Sequence, residues 1–325
     1  MRDKLERHQV WIYLLAILSG ILTGWSWPEV SAVFELALWP MLGVLLYATF
    51  TQVPLVHLAG AFQDVRFLGV LVLGNFVLMP AVVWALLFLV PDNSALKLGV
   101  LLVLLVPCTD WFISFTHLGH GNGARAIAAT PILLVLQIVM LPVYIWLFLG
   151  EQLVVTGIRD HLLPAFFGLI LVPLLLAWVT EKAADTRPVL QRYLNGLGWL
   201  PVPVLAVVIY LIAASQVNLV IETGRMLWSV SIVFVLYLFA AAAVGKLLSE
   251  VFHIGGAPGR TLVFSFGTRN SFVVLPLAIA LPEAWAAAVV VVVFQSLIEL
   301  FGMVAYLKWV PRLIKDTPTS EATVP

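Results

Sequence analysis

Long apolar stretches recur along the chain, separated by short polar breaks. Ten such stretches are about 20 residues or longer, the length that a helix needs to cross a bilayer. They lie near 9–27, 35–54, 67–90, 96–118, 124–149, 161–180, 197–217, 226–247, 260–281 and 284–309. Between them stand turn-forming clusters such as Trp27-Pro28-Glu29, Pro91-Asp92-Asn93 and Pro282-Glu283. The stretches are continuous, with glycine and proline inside them. They do not alternate every second residue, so they predict helices and not barrel strands. The charged start, Met1-Arg2-Asp3-Lys4, leads into an apolar run with no small-residue cleavage site after it. That run reads as a retained helix and not a signal peptide.

Lysine and arginine fix an orientation for this pattern. With the N-terminus on the cytoplasmic side, thirteen of the 17 basic residues face inside and three (Lys97, Arg159 and Arg225) face outside, with Arg269 left within a span. Short cytoplasmic loops carry such an excess. The predicted protein is therefore an all-α polytopic membrane protein of about ten transmembrane helices with both termini cytoplasmic. It forms a single transmembrane domain over residues 1–325, with a disordered tail at 313–325. The expected location is a bacterial-type inner membrane.

Composition supports the same class. Hydrophobic residues make up 62% of the chain and charged residues 10%, against roughly 45–50% and about 25% in soluble proteins. A soluble enzyme, a disordered chain and a coiled coil are excluded. A net charge of zero argues against nucleic acid as a partner. The single cysteine, Cys108, excludes an internal disulfide and a multi-cysteine metal site. The pattern implies no cofactor and leaves the oligomeric state open. The expected partners are the lipid bilayer and a small inorganic or organic solute.

A division into two halves, repeat one at about 9–150 and repeat two at about 160–312, aligns two interrupted spans. Span four reads Leu105-Val106-Pro107-Cys108-Thr109-Asp110-Trp111, and span nine reads Phe264-Ser265-Phe266-Gly267-Thr268-Arg269-Asn270-Ser271. Each is apolar helix broken halfway by proline or glycine and a polar cluster. Five helices per half is odd, so the second half enters the membrane from the opposite side, giving inverted repeats. Unwound backbone is tolerated inside a membrane only where it lines a cavity or is buried in protein. The expectation is two broken helices, four and nine, crossing in the core around a solute site. The alternative for each break is an ordinary helix kink.

Three ionisable residues stand deep in apolar runs: Asp110, Arg269 and Glu299. Each costs about 2.5–3.5 kcal/mol at a helix centre on insertion scales, so each needs a partner. An Asp110–Arg269 ion pair is the simplest arrangement, either structural or responsive to a solute or proton. Gln295 and Glu299 are four apart and share a helix face, which should look toward the breaks. Glu299 either exchanges a proton or is a buried structural acid, and Asp110 is a second candidate for the proton. Cys108 is either a small buried hydrophobe or a thiol ligand for a thiophilic solute. Asn75, in Gly74-Asn75-Phe76-Val77-Leu78-Met79-Pro80, is a candidate to cap or support the neighbouring break, the alternative being a purely structural role. Glu35 reads as interfacial, and His117 and His120 as loop residues.

At these residues the sequence resembles the bile acid/sodium symporter superfamily, and within it the arsenite efflux permease branch. The resemblance covers about residues 8–312. It is carried by Pro107-Cys108-Thr109, by Gly267-Thr268-Arg269-Asn270-Ser271-Phe272, by Gln295-Ser296-Leu297-Ile298-Glu299, and by Asn75 with Pro80. It implies a panel domain and a core domain, with two unwound helices crossing in the core. It also implies a functional cysteine at Cys108 and a functional acid at Glu299. Sodium-coupled members carry glutamate and glutamine where this chain has Ser265 and Arg269, so a fixed positive charge stands where a sodium ion would bind. Arsenite permeases carry Asn-Asn-Phe-Glu where this chain reads Asn270-Ser271-Phe272-Val273. Asp110 would take over part of the missing acid's role.

Two transport functions follow. One is proton-driven efflux of arsenite or a related metalloid, with Cys108, Thr109, Asn270 and Ser271 binding an uncharged hydroxide. The other is transport of small organic anions, sodium-coupled or not, with Arg269 receiving a carboxylate or sulfonate. An intramembrane enzyme would need a metal-binding His-Glu-x-x-His, facing aspartates or a serine beside a base, and the spans carry none of these.

Overall fold

The computed structural model describes residues 2–55, 64–149 and 158–316. The predicted boundary between the halves near 150–160 lies mostly outside these residues, and so does the tail beyond Asp316. The described chain is helical, with short connecting turns and one isolated antiparallel bridge. The helices are α1 (Arg2–Ser26), α2 (Ser31–Phe50), α3 (Val65–Leu87), α4 (Ser94–Leu104), α5 (Trp111–Leu118) and α6 (Gly123–Leu149). In the second half α7 runs from Ile158–Ala165 through Phe166–Leu171 into Val172–Ala184. It is followed by α8 (Pro188–Leu197), α9 (Pro201–Ser215), α10 (Val217–Val251), α11 (Gly256–Gly267), α12 (Ser271–Ile279) and α13 (Ala287–Leu313).

Six described helices are long and apolar enough to cross a membrane, or seven when α8 and α9, bent by 45°, count as one span. The sequence pattern gave ten. The difference lies in apolar segments whose helices are short. The apolar part of α1 is Trp11–Ser26. Spans four and nine are divided into α4 with α5 and α11 with α12, each half no longer than 12 residues. Span seven begins at Pro201, a few residues later than predicted, because Pro188–Leu197 folds ahead of it as a separate amphipathic helix, α8, with Val189 and Tyr193 exposed.

Prolines shape the long helices. A π turn at Gly74–Leu78 precedes Pro80, and another at Phe166–Leu171 precedes Pro173. Each proline lacks the N–H that would bond four residues back, so the ladder is re-sorted locally. The Phe76 carbonyl, which Pro80 cannot satisfy, accepts the Tyr144 hydroxyl at 2.6 Å. Polar side chains start the short helices. Asn93 accepts from the Ala95 and Leu96 N–H groups at the head of α4, and Asp64 accepts from Phe67 at the head of α3.

The helices sort into two packed groups. In the first, α1 lies on α9, α9 on α2, and α2 on α7. In the second, α13 packs on α4, α10 and α12, and α10 packs on α11. Helices α3 and α6 cover the second group through their contacts with α10, α11 and α5. Arg260 ties off one end of that group. Its side chain, 5% exposed, donates to the His120 and Ile314 carbonyls at 2.8 and 3.2 Å and to Asp316 at 2.5 Å. Sequence alone counts this arginine as an ordinary loop charge.

The close contact of α4 and α13 depends on Gly99. A Cβ there would sit 2.8 Å from the Val291 Cβ and 3.0 Å from the Ala288 backbone. Gly99→Val should therefore lower the thermal unfolding midpoint in detergent, at a cost of about 1–3 kcal/mol. Gly43→Ala, at a site with no atom within 4 Å, should be neutral or stabilising by less than about 1 kcal/mol. Equal midpoints for the two variants would contradict this packing.

Candidate functional site

The interrupted helices meet. Pro107 in the first break lies opposite Arg269 in the second as an isolated antiparallel bridge. The Cys108 N–H donates to the Thr268 carbonyl at 3.2 Å, and the Asn270 N–H donates to the Val106 carbonyl at 2.8 Å. A broken helix strands amide and carbonyl groups that lipid cannot satisfy, and here each break supplies partners for the other. Proline suits the centre of this bridge. Both hydrogen bonds come from flanking residues, so the missing N–H leaves nothing unpaired.

Four helix ends converge on the crossing. Helices α5 and α12 begin there, and α4 and α11 end there. Asn270 caps α12 by accepting from the Val273 N–H at 3.3 Å, and its amide donates to Thr109 Oγ1 at 3.4 Å. The Cys108 sulfur faces the Asp110 and Phe112 N–H groups at the head of α5. The amide-rich ends thus lie beside Cys108, Thr109, Asn270 and Ser271, all buried.

The carbonyl-rich ends are answered by Arg269, which is 2% exposed. Its Nη1 donates to the Leu104 carbonyl at 3.5 Å at the end of α4. Its Nη2 approaches the Phe266 carbonyl at 2.6 Å, the Ser265 carbonyl at 3.4 Å and Asn75 Oδ1 at 3.0 Å. The Tyr237 ring lies 5.3 Å from the guanidinium carbon, and the Tyr237 hydroxyl donates to the Phe266 carbonyl at 3.0 Å. The partial negative charge of two helix C-termini draws the cation here. Asn75 supports the arrangement from α3, its amide donating to Ser265 Oγ at 2.9 Å.

The predicted Asp110–Arg269 ion pair gives way to this arrangement. The guanidinium is committed to helix-end carbonyls and Asn75. Asp110 is half-buried and lines a small crevice with Gln9, Trp111 and Trp199 between α1, α5 and α9. The acidic side chain nearest Arg269 is Glu299, 1% exposed. Glu299 Oε2 accepts from the Arg269 backbone N–H at 2.9 Å and from Gln295 Nε2 at 2.7 Å. Ser271 Oγ donates to Gln295 Oε1 at 3.0 Å. The shared face of Gln295 and Glu299 does look toward the break. Glu299 Oε1 and Arg269 Nε are buried with no hydrogen-bond partner among the described residues, so the network keeps unused capacity.

Of the residues singled out by sequence, the crossing gathers Asn75, Cys108, Thr109, Arg269, Asn270, Ser271, Gln295 and Glu299. Sequence reasoning missed Tyr237, whose only signal was a lone tyrosine in an apolar span. It also missed the ligands that are main-chain carbonyls, which have no signature in sequence.

Crevices lie between the two helix groups. Beside Glu35, Gln216 and Glu283 the crevice holds about 440 Å³, and there the Gln216 amide donates to Glu35 at 3.1 Å. On the opposite side, beside Gln9, Asp110 and Trp199, only about 20 Å³ remains. A larger cavity of about 970 Å³ lies between α3, α4 and α6, away from the crossing. Exposed Trp84, Phe88 and Leu147 line it, which marks it as membrane-facing surface.

These features fit a transporter, and a family match decides the class. The model of the sodium bile acid symporter family matches residues 39–223. The chain belongs to that family. Members are secondary transporters and not enzymes, and this chain is accordingly a multi-pass membrane transporter of small solutes. The matched stretch includes the first break and Asn75, whereas the second break, Gln295 and Glu299 lie beyond it. No curated protein matches the chain.

The Asn75–Ser265–Arg269 connection can be tested by a double-mutant cycle. Asn75→Ala should destabilise the protein by about 1–3 kcal/mol, because the buried Ser265 hydroxyl loses its donor and the guanidinium loses one of its acceptors. Combination with Ser265→Ala should cost less than the sum of the single changes. Strict additivity in thermal unfolding would show that the three groups are not connected.

Proposed function

We propose that the protein exports arsenite or a related uncharged metalloid hydroxide by alternating access, with a proton as the coupling ion. The carrying observation is the makeup of the crossing: a thiol, two hydroxyls and an amide beside helix N-termini, with the one guanidinium already occupied. A neutral hydroxide needs hydrogen-bonding groups and a soft ligand. Thr109, Asn270 and Ser271 supply the former, and Cys108 the latter. An organic anion would need a free cation in the pocket. Among the described residues the Arg269 guanidinium instead meets helix-end carbonyls, Asn75 and the Tyr237 ring, which speaks against that reading.

In this account the chain has ten crossings in two inverted halves, with the interrupted spans four and nine at equivalent places and both termini in the cytoplasm of a bacterial-type inner membrane. The group α1, α2, α7 and α9 serves as the panel, and the group around α4, α5 and α10–α13 as the core. The crevice beside Glu35 and Glu283 then faces outward, and the tight crevice at Asp110 is the closed inner gate. Rocking the core against the panel would exchange the two. Glu299 would carry the proton, since it is joined to the solute groups through Gln295 and Ser271. Asp110 would act at the inner gate.

Growth of an efflux-deficient host decides the substrate. The wild-type chain should protect against arsenite and antimonite but not against organic acids. Cys108→Ser should lose at least about tenfold in protection while expressing normally. Equal protection by Cys108→Ser would remove the thiol from the mechanism. In everted vesicles, Glu299→Gln should make arsenite transport insensitive to an imposed pH gradient. Retained gradient dependence would exclude Glu299 as the proton carrier.

A further inference from the structure

Around one nitrogen of Arg269 there are more acceptors than hydrogens. Nη2 carries two N–H bonds, yet three oxygens surround it: Phe266 O at 2.6 Å, Asn75 Oδ1 at 3.0 Å and Ser265 O at 3.4 Å. Leu104 O approaches Nη1 at 3.5 Å from the other broken helix. One amide oxygen and three main-chain carbonyls, two helix C-termini and no water-exposed face make an enclosure suited to a hard monovalent cation. Unwound carbonyls and half-helix C-termini hold such ions in other transporters, and carbonyl rings replace their hydration in channels. Here the occupant is a side chain of the protein itself. It is permanently charged and covalently tethered, so it cannot be exchanged with solvent.

Glu299 holds the backbone N–H of the same residue at 2.9 Å and leaves the guanidinium to the carbonyls and Asn75. A second cation in this enclosure would stand against a fixed like charge.

We infer that Arg269 is a built-in counter-cation that occupies an alkali-cation enclosure, so that this carrier works without sodium. Cutting back the guanidinium would uncover a sodium site made of Asn75 Oδ1 and the Leu104, Ser265 and Phe266 carbonyls. This rests on the transporter reading above but not on the identity of the solute.

The test reads cation binding and needs no substrate. Purified wild type, Arg269→Lys and Arg269→Gln would be unfolded thermally in sodium, potassium and choline chloride at constant ionic strength, with radioactive sodium binding measured in parallel. Wild type and Arg269→Lys should show no saturable sodium response. Arg269→Gln should gain one, with sodium affinity at least about a hundredfold above wild type. Saturable sodium stabilisation of the wild type would overturn the inference, and so would a folded, monodisperse Arg269→Gln that binds sodium no better than wild type. If Arg269→Gln does not fold, the wild-type response decides, a flat one supporting the inference and a saturable one overturning it. Failure of the arsenite growth test with a flat sodium response would refute the substrate and leave the counter-cation intact.

Discussion

The structure depends on the backbone pairing between Val106–Cys108 and Thr268–Asn270. Two helices are interrupted inside an apolar protein, and each interruption exposes peptide groups that hydrocarbon cannot satisfy at several kcal/mol apiece. Two hydrogen bonds and a proline placed where no donor is needed settle that debt. The rest follows from the direction of the helices that meet there. Two N-termini create an electropositive side, where thiol, hydroxyl and amide groups gather. Two C-termini create an electronegative side, and Arg269 fills it.

That separation explains how an arginine and a glutamate are kept in a buried core without touching through their side chains. The guanidinium answers helix dipoles, and the carboxylate answers a backbone N–H and Gln295. Each polar head is held by oriented dipoles of the protein, which offset part of the desolvation penalty of burial. The unused Glu299 Oε1 and Arg269 Nε are the places where the network has room to change. Under the function proposed above, the backbone of the crossing would stay fixed while its protons and solute contacts change as the carrier cycles.

Much of this was legible in the residues. Hydropathy gave the all-helical membrane class, and the Pro107 and Gly267 clusters located both breaks. The four-residue spacing of Gln295 and Glu299 placed them on the face that meets the crossing. The reasoning failed where side-chain pairing was inferred from charge alone. Asp110 and Arg269 are opposite in sign and each stands in one of the two breaks, yet the dipoles of α4 and α11 compete better for the guanidinium. Those dipoles are sums over main-chain carbonyls, and a sequence does not display them. The number of crossings was harder for a related reason, because a span cut into pieces of 11 and eight residues is apolar enough in sequence but short as a helix.

The pairing of the breaks can be measured directly, because the chain has a single cysteine. Cys108 and Thr268 face each other across the bridge, with Cys108 N–H bonded to Thr268 O at 3.2 Å. Directly opposed residues in such a pair have Cα atoms about 5.5 Å apart, within the range of a disulfide. Thr268→Cys should therefore form an internal disulfide with Cys108 on mild oxidation in membranes, seen as loss of both thiols to alkylation in a monomeric band. Two thiols that stay free in correctly inserted protein would mean that the breaks do not meet, and the account of the site would fail with them.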